Sequence, residues 1–191
     1  MALSIPVERR PVHRRTVETR AYRRSDGLWD VEAHLRDTKA FDSNDFRRGR
    51  IPAGEPIHDM WVRVTIGADL VVRRVESSSD AAPFTACAAP ADEFAALVGA
   101  PLARGWRARV HETFGGRESC THLVSLFEPI ATTAFQALCG GDDPHGTDPL
   151  AAPMHQSQKP FFIDGCRVWR ADGETVAIVF RDAAWRAGGR P

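Results

Sequence analysis

The sequence predicts an α+β fold, in which an antiparallel β-sheet built from hairpins has one long and one short helix packed on one face. Several segments alternate apolar and polar residues between turn signals, one longer segment repeats apolar residues at helical spacing, and strands and helices do not alternate strictly. The 191 residues suffice for one domain with its own core. We expect a basic N-terminal arm over residues 1–15, a single α+β domain over 16–182 and a disordered tail over 183–191.

Three hairpins are predicted from the alternating segments. In the first, "TVETRAYRR" is rich in β-prone residues, "SDG" is a turn signal, and "LWDVEAHLRDTKAF" alternates. In the second, "IHDMWVRVTI" alternates, and "GAD" turns the chain back into residues 70–75. The third pairs "FFIDGCRVW" with "ETVAIVF" across "RADG". The polar connection over residues 42–56 needs no regular structure.

Two helices are predicted between the second and third hairpins. Residues 92–100, "DEFAALVGA", have acidic residues first and a glycine near the end, which is typical of a short helix. The long helix is indicated by apolar residues at spacings of three and four, namely Leu123, Phe127, Ile130, Ala134 and Leu138. Pro129 lies inside this pattern and lacks a backbone donor, so we expect a kink or two stacked segments.

Composition and charge exclude several classes of partner. The 25 basic and 25 acidic residues cancel, so no net positive field attracts nucleic acid or anionic lipid. The arginine-rich start is expected to pair with acidic residues of the same chain, with an anion-binding strip as the alternative. The opening residues lack the apolar core of a secretory signal, and no stretch is long and apolar enough to span a membrane. We therefore expect a cytoplasmic protein with a small-molecule substrate or ligand, and we leave a homodimer through exposed sheet edges open.

Cys120 and His122 stand at the predicted start of the long helix. Unpaired backbone N–H groups and the helix dipole would stabilise a thiolate there, and the imidazole could act as a general base or share a metal ion with it. Residues two positions apart on a helix point about 200° from each other, so a shared metal requires the pair to lie at or before the helix cap. The alternative is a small buried cysteine beside an ordinary polar residue of a first helical turn.

His58 lies at the predicted start of the second hairpin, in "GEPIHDMW". Strand ends can present side chains to a cleft, and a histidine beside a carboxylate suits proton transfer or metal binding. The neighbouring Asp59 points to the opposite face of the strand, so only one of the two is expected to reach a given site. We prefer His58, and the alternative is a surface histidine.

The chain has four cysteines and no C-x-x-C pair, which removes the strongest sequence signal for structural zinc. Cys166 is expected on a strand and Cys87 in a loop. Together with Cys120 and His122 they could supply a cysteine-rich tetrahedral set of ligands, for which Zn²⁺ is the best match. The alternative is that Cys87 and Cys166 are core residues. Cys139, before two glycines, is expected to serve packing only.

Asp37 and Lys39 interrupt the apolar face of the second predicted strand. They share that face with Leu35 and Phe41, which is unusual if the face is buried. One interpretation is a structural salt bridge. The other is a pocket that orients an anion.

Five phrases of the sequence resemble a bacterial family known as domain of unknown function 2889. The phrases are "YRRSDGLWDVEAHLRDTK", "GEPIHDMWVRVTI", "APFTAC", "GGRESCTHL" and "FFIDGCRVWRADG", in the same order, and the resemblance runs from about residue 13 to residue 180. Ser119 stands where the family phrase has glycine before Cys-Thr-His. The resemblance implies that three further candidates belong to recurring phrases, namely His58, Cys87 and Cys166. It implies no reaction.

The leading hypothesis is a small-molecule enzyme whose site gathers residues from several phrases and binds zinc, if any metal. Its expected members are Cys120, His122, His58 and Cys166, with Cys87 as an outer candidate. A second enzymatic hypothesis makes Cys120 a nucleophile activated by His122. The non-catalytic alternative is a ligand-binding or accessory domain with structural cysteines and a cavity lined by Trp29, Trp61 and phenylalanines. Nucleotide-binding and common hydrolase motifs such as G-x-x-x-x-G-K-[ST] and G-x-S-x-G are absent from the sequence.

Overall fold

The computed structural model describes residues 3–88, 92–138, 159–160 and 162–187. Its strands are β1 (His13–Arg23), β2 (Trp29–Lys39), β3 (Ser43–Asp45), β4 (Gly49–Ile51), β5 (Pro56–Ile66) and β6 (Val72–Ala81). The helices are α1 (Trp106–Phe114), α2 (Thr121–Val124), α3 (Phe127–Leu138), α4 (Glu174–Val179) and α5 (Ala184–Ala187). Single 3-10 turns occur at Thr85–Cys87 and Ala95–Leu97.

The main sheet has four antiparallel strands in the order β1-β2-β5-β6, with helices packed against it. The predicted α+β class is therefore confirmed. The first hairpin pairs β1 with β2, from His13 opposite Lys39 to Arg23 opposite Trp29. The second pairs β5 with β6, and the long connection through β3 and β4 places β5 beside β2. Because opposite residues of an antiparallel pair share a face, this register decides which side chains meet.

The core lies between one face of this sheet and helices α1 to α3. Alternate residues of β2 and β5 are fully buried on that face, namely Val31, Ala33, Leu35, Met60, Val62, Val64 and Ile66. The helices cover them with another apolar layer, whose largest members include Trp106, Leu123, Phe127 and Ile130. The indole Nε1 of Trp106 donates a hydrogen bond to the carbonyl of Phe127 over 2.9 Å. Burial of this apolar face is the main source of stability.

The predicted long helix consists of the two stacked segments α2 and α3. The chain leaves helical geometry between Val124 and Phe127, and Pro129 falls in the first turn of α3. A proline is tolerated there because the first N–H groups of a helix have no intrahelical acceptor. The break shortens α2 to four residues, so Cys120 precedes a single helical turn and not the long helix whose dipole was expected to stabilise its thiolate.

The predicted third hairpin is wrong. "ETVAIV" forms α4, and the preceding residues form turns rather than a strand. Val176 and Phe180, four residues apart, are buried against Phe162 and Ile163 in a second apolar cluster. Packing of this helical stripe outweighs the β preference of its valines and isoleucine.

Smaller differences occur elsewhere along the chain. The predicted helix over residues 92–100 is limited to the 3-10 turn at Ala95–Leu97, and helix α1 was not predicted. The connection over residues 42–56 contains the short hairpin β3-β4. Strand β1 begins at His13, inside the segment expected to be an arm. Among the described residues, no helix is long and apolar enough to cross a membrane.

Candidate metal site

A row of polar side chains crosses the inner face of the sheet where the apolar rows end. Arg15 on β1 is directly opposite Asp37 on β2, and Asp37 is directly opposite His58 on β5. The preceding row of the same face is apolar and includes the fully buried Leu35 and Met60. The sheet therefore brings a cation, a carboxylate and an imidazole into line at one end of the core.

The carboxylate of Asp37 is the centre of this row, with only 1 % of the residue exposed. Arg15 donates from Nε to Oδ1 over 2.8 Å and from Nη2 to Oδ2 over 2.6 Å. His13 Nε2 lies 3.1 Å from Oδ1, and His58 Nδ1 lies 3.1 Å from Oδ2. A carboxylate offers about four acceptor positions, so these contacts satisfy a buried charge that would otherwise be costly.

His122 approaches the same carboxylate from the helical layer. It lies in α2, which packs against β5, and its ring stacks on that of His58 with centroids 4.0 Å apart. His122 Nε2 is 4.0 Å from Asp37 Oδ2. Asp37, His58 and His122 each offer one ligand atom, and these atoms all lie within 4.8 Å of one another. Two imidazoles and one carboxylate could hold a metal ion in this arrangement.

The sulfur of Cys120 lies behind His122, on the side away from Asp37. Its Sγ is 3.9 Å from His122 Nδ1, whereas Nε2 of the same ring faces the carboxylate. Cys120 is the residue before α2, where the backbone is extended, so its side chain and that of His122 meet without being held in one helical turn. The predicted requirement for a shared metal, that both residues lie at or before the cap, is met by Cys120 only, because His122 is the second residue of α2. The sulfur contacts Nδ1 of His122 and not the ligand atoms that face one another.

The charges around Asp37 strongly favour its ionised form. Burial raises its pKa, but the hydrogen bonds and charge of Arg15, together with His13 and His58, outweigh burial and lower the pKa to about 2. The same hydrogen bond raises the pKa of Arg15 above its usual value. The site therefore has a permanent carboxylate paired with a permanent guanidinium.

The two stacked histidines are shifted toward their neutral forms. Burial lowers the pKa of His58, and the charge of Asp37 only partly opposes this. Burial also lowers the pKa of His122, and the nearby His58 and Arg15 lower it further. Neutral imidazole is the form that binds metal ions and accepts protons, so the environment prepares both rings for either task.

The other predicted cysteines lie apart from this group. Cys87 is partly buried in a 3-10 turn and packs on the edge of the main core. Cys166 is exposed and lines a separate cleft of about 560 Å³ with aromatic neighbours, among them Trp106, Phe135, Phe162 and Trp169. Within the described residues, no cysteine joins a group of three ligands, so the expected cysteine-rich set does not form. Cys139 lies outside the described residues.

Asp37 is the potential ligand that the sequence did not identify. Its position on an apolar face was the available signal. Asp37 forms a structural salt bridge, but its partner is Arg15 and not Lys39, the residue considered with it. Lys39, considered together with Asp37, points its Nζ toward the ring of Phe41 instead. The contributions of His13 and Arg15 could not be read from the sequence because they depend on the register of β1 against β2.

Fold and site together define an α+β protein with a buried Asp-His-His group that could hold a metal ion. Comparison with family models gives a match to "Protein of unknown function (DUF2889)" over residues 13–136. The chain belongs to this family. The match includes all three residues of the group and Cys120, and it ends before the phrase that contains Cys166. Searches of curated proteins and of solved structures gave no match.

Proposed function

We propose that this protein is a zinc-dependent enzyme that acts on a small molecule, with Asp37, His58 and His122 as the metal ligands. The observation that carries the proposal is the approach of one potential ligand atom from each residue to within 4.8 Å of the others. The three come from two strands and a helix, so the tertiary fold converges on this point. His58 and His122 were candidates from the sequence, whereas Asp37 takes the place expected for thiolates.

The ligand types and their spacing are compatible with zinc. A tetrahedral ion with bonds of about 2.1 Å separates its ligand atoms by about 3.4 Å, and a facial octahedral ion such as Fe²⁺ separates them by about 3.0 Å. Asp37 Oδ2 lies 3.1 Å from His58 Nδ1 and 4.0 Å from His122 Nε2. All three ligand atoms lie within 4.8 Å of one another, so modest side-chain shifts would bring them to either spacing. The choice of zinc therefore rests on the ligand types, because imidazole and carboxylate both bind it.

The surroundings of the three ligands resemble an outer shell of a metal site. Arg15 and His13 contact Oδ1 of Asp37, the oxygen that does not face His58 and His122. Cys120 lies against Nδ1 of His122, the ring nitrogen that faces away from Asp37. Such contacts orient ligands and select the tautomer of a metal-binding histidine. His58 would exchange its hydrogen bond to Asp37 for a bond to the ion.

Three protein ligands are the number found in catalytic zinc sites, which keep a fourth position for water or substrate. The His58 and His122 side chains are 14 % and 22 % exposed, so the site is reached from solvent. Zinc bound there would lower the pKa of a coordinated water to about 7 and make it a nucleophile at neutral pH. We therefore propose a reaction in which water adds to an electrophilic centre of a small molecule.

Metal analysis of the purified full chain tests the proposal. We expect about one equivalent of zinc after dialysis against zinc-containing buffer, and less than about a tenth of an equivalent in Asp37→Asn, His58→Gln and His122→Gln. The matched control is His34→Gln, because His34 is also bonded to an aspartate, Asp59 at 2.5 Å, but on the opposite face of the sheet. Circular dichroism verifies that each variant is folded. Equal zinc contents in His34→Gln and His122→Gln would refute the site.

One further observation favours a metal-free alternative. Cys120, His122 and Asp37 are arranged in the order nucleophile, base and orienting carboxylate, with distances of 3.9 Å and 4.0 Å between successive groups. A cysteine enzyme of this kind would attack an acyl group. Alkylation by iodoacetamide, followed at Cys120 by mass spectrometry, separates the two proposals. Under the alternative, His122→Gln slows alkylation at pH 7 about tenfold in the metal-free chain, whereas a purely zinc-binding His122 predicts no slowing.

A further inference from the structure

We propose that the ligand of this site is a small organic oxyanion, held between the metal ion and the cationic end of strands β1 and β2. This inference rests on the zinc enzyme proposed above and specifies the class of its substrate. Asp37 supplies one negative charge and Arg15 one positive charge, while a zinc ion adds two positive charges and histidine binds a metal ion as neutral imidazole. The loaded site therefore carries a net positive charge that an anionic ligand would neutralise.

Arg15 has unused hydrogen-bond donors at the edge of the site. It donates to Asp37 through Nε and Nη2, and within the described residues its Nη1 group makes no hydrogen bond. A guanidinium has five N–H donors in a planar fork that matches the oxygens of carboxylate and phosphate. The Arg15 side chain is 44 % exposed, so these remaining donors are accessible to a ligand.

Lys39 adds a second cation on the same face of the sheet. It is directly opposite His13, in the row beside that of Arg15 and Asp37. In the described part of the chain Lys39 forms no ion pair, and its Nζ lies 5.9 Å from the centre of the half-exposed Phe41 ring. A flexible, unpaired lysine beside an arginine can swing toward an anion at little cost. The carboxylate of Asp37 is already neutralised by Arg15, so Lys39 is available to a ligand.

Cobalt-substituted protein provides the test, since Co²⁺ takes zinc positions and its visible absorption responds to new ligands. The full chain is loaded with Co²⁺ and titrated separately with oxalate and with inorganic phosphate at constant ionic strength. We expect saturable spectral changes. Tighter binding of oxalate would assign the ligand as a carboxylate, and tighter binding of phosphate would assign it as a phosphate ester.

Lys39→Gln is the variant that tests whether the cationic end of β1 and β2 binds the anion. It leaves every proposed metal ligand intact and is expected to raise the Kd of the preferred anion about tenfold. The matched control is Arg14→Gln, which removes one positive charge from the neighbouring position of β1 on the opposite face and should change the Kd less than about twofold. A cobalt spectrum that neither anion changes, or equal effects of the two variants, would overturn the inference and leave the metal site standing. Failure to bind cobalt at all would overturn both.

Discussion

His58 Nδ1 lies 3.1 Å from Asp37 Oδ2, and the two residues are direct partners across strands β2 and β5. This contact joins the sheet to the candidate metal site, because the register that pairs the two strands also sets the distance between two proposed ligands. A shift of one residue would turn one of them to the solvent face. The ladder also includes an irregularity next to the site, between Asp37 and Thr38, near the end of the pairing between β2 and β5.

Asp37→Asn should destabilise the metal-free protein at neutral pH and have less effect in acid. The native state lowers the pKa of Asp37 to about 2 from its ordinary value of 3.8, which corresponds to roughly 2 kcal/mol of stability. Because the pKa is lowered on folding, this contribution is present above about pH 4 and is lost as the pH falls toward 2. Urea unfolding of both proteins across this range measures it. If the difference in the free energy of unfolding between wild type and Asp37→Asn stays constant from pH 7 to pH 2, the prediction is contradicted.

The metal-free protein should also lose stability as the pH falls below about 6.5, the value at which an unperturbed histidine takes up a proton. The pKa values of His58 and His122 are both lowered, so the unfolded chain binds protons before the native state does. His58→Gln and His122→Gln should each make the free energy of unfolding depend less steeply on pH between pH 7 and pH 5. The measurement is the free energy of unfolding at a series of pH values. An unchanged slope of this free energy against pH in both variants would count against the prediction.

Cys120→Ala should keep one equivalent of zinc and lose no more than about tenfold in affinity, because the sulfur contacts Nδ1 of His122 and not the facing ligand atoms. Competition with a chromophoric chelator measures the affinity. Cys166→Ala is the control and should match the wild type, since Cys166 is exposed at a different cleft. Complete loss of zinc from Cys120→Ala would instead make the thiolate a direct ligand.

Leu35→Ala should destabilise the protein by about 2–5 kcal/mol, because Leu35 is fully buried in the row next to Asp37. Its partner on β1 provides the control. Val17 is directly opposite Leu35 but is 44 % exposed, so Val17→Ala should cost about 1 kcal/mol or less. Chemical denaturation compares the two, and equal losses would be inconsistent with the burial of this sheet face.

Local sequence patterns predicted the elements that depend on contacts between residues close to one another in sequence. The first two hairpins follow from alternation around "SDG" and "GAD", and the break before α3 follows from Pro129. The same reasoning failed for α4, because the five-residue apolar run "VAIVF" suits a buried strand as well as a helix. Its partners Phe162 and Ile163 belong to another segment, and packing against them decided the outcome.

The sequence by itself determined that His58 and His122 were chemically capable residues and that Asp37 would interrupt an apolar strand face. Side-chain alternation is a local property of the chain, so it can be read without coordinates. Only the tertiary structure decided that His122 stacks on His58 above Asp37, and that Cys87 and Cys166 lie elsewhere. Those placements depend on long loops and on the packing of α2 against the sheet, which bring together residues that no local spacing connects.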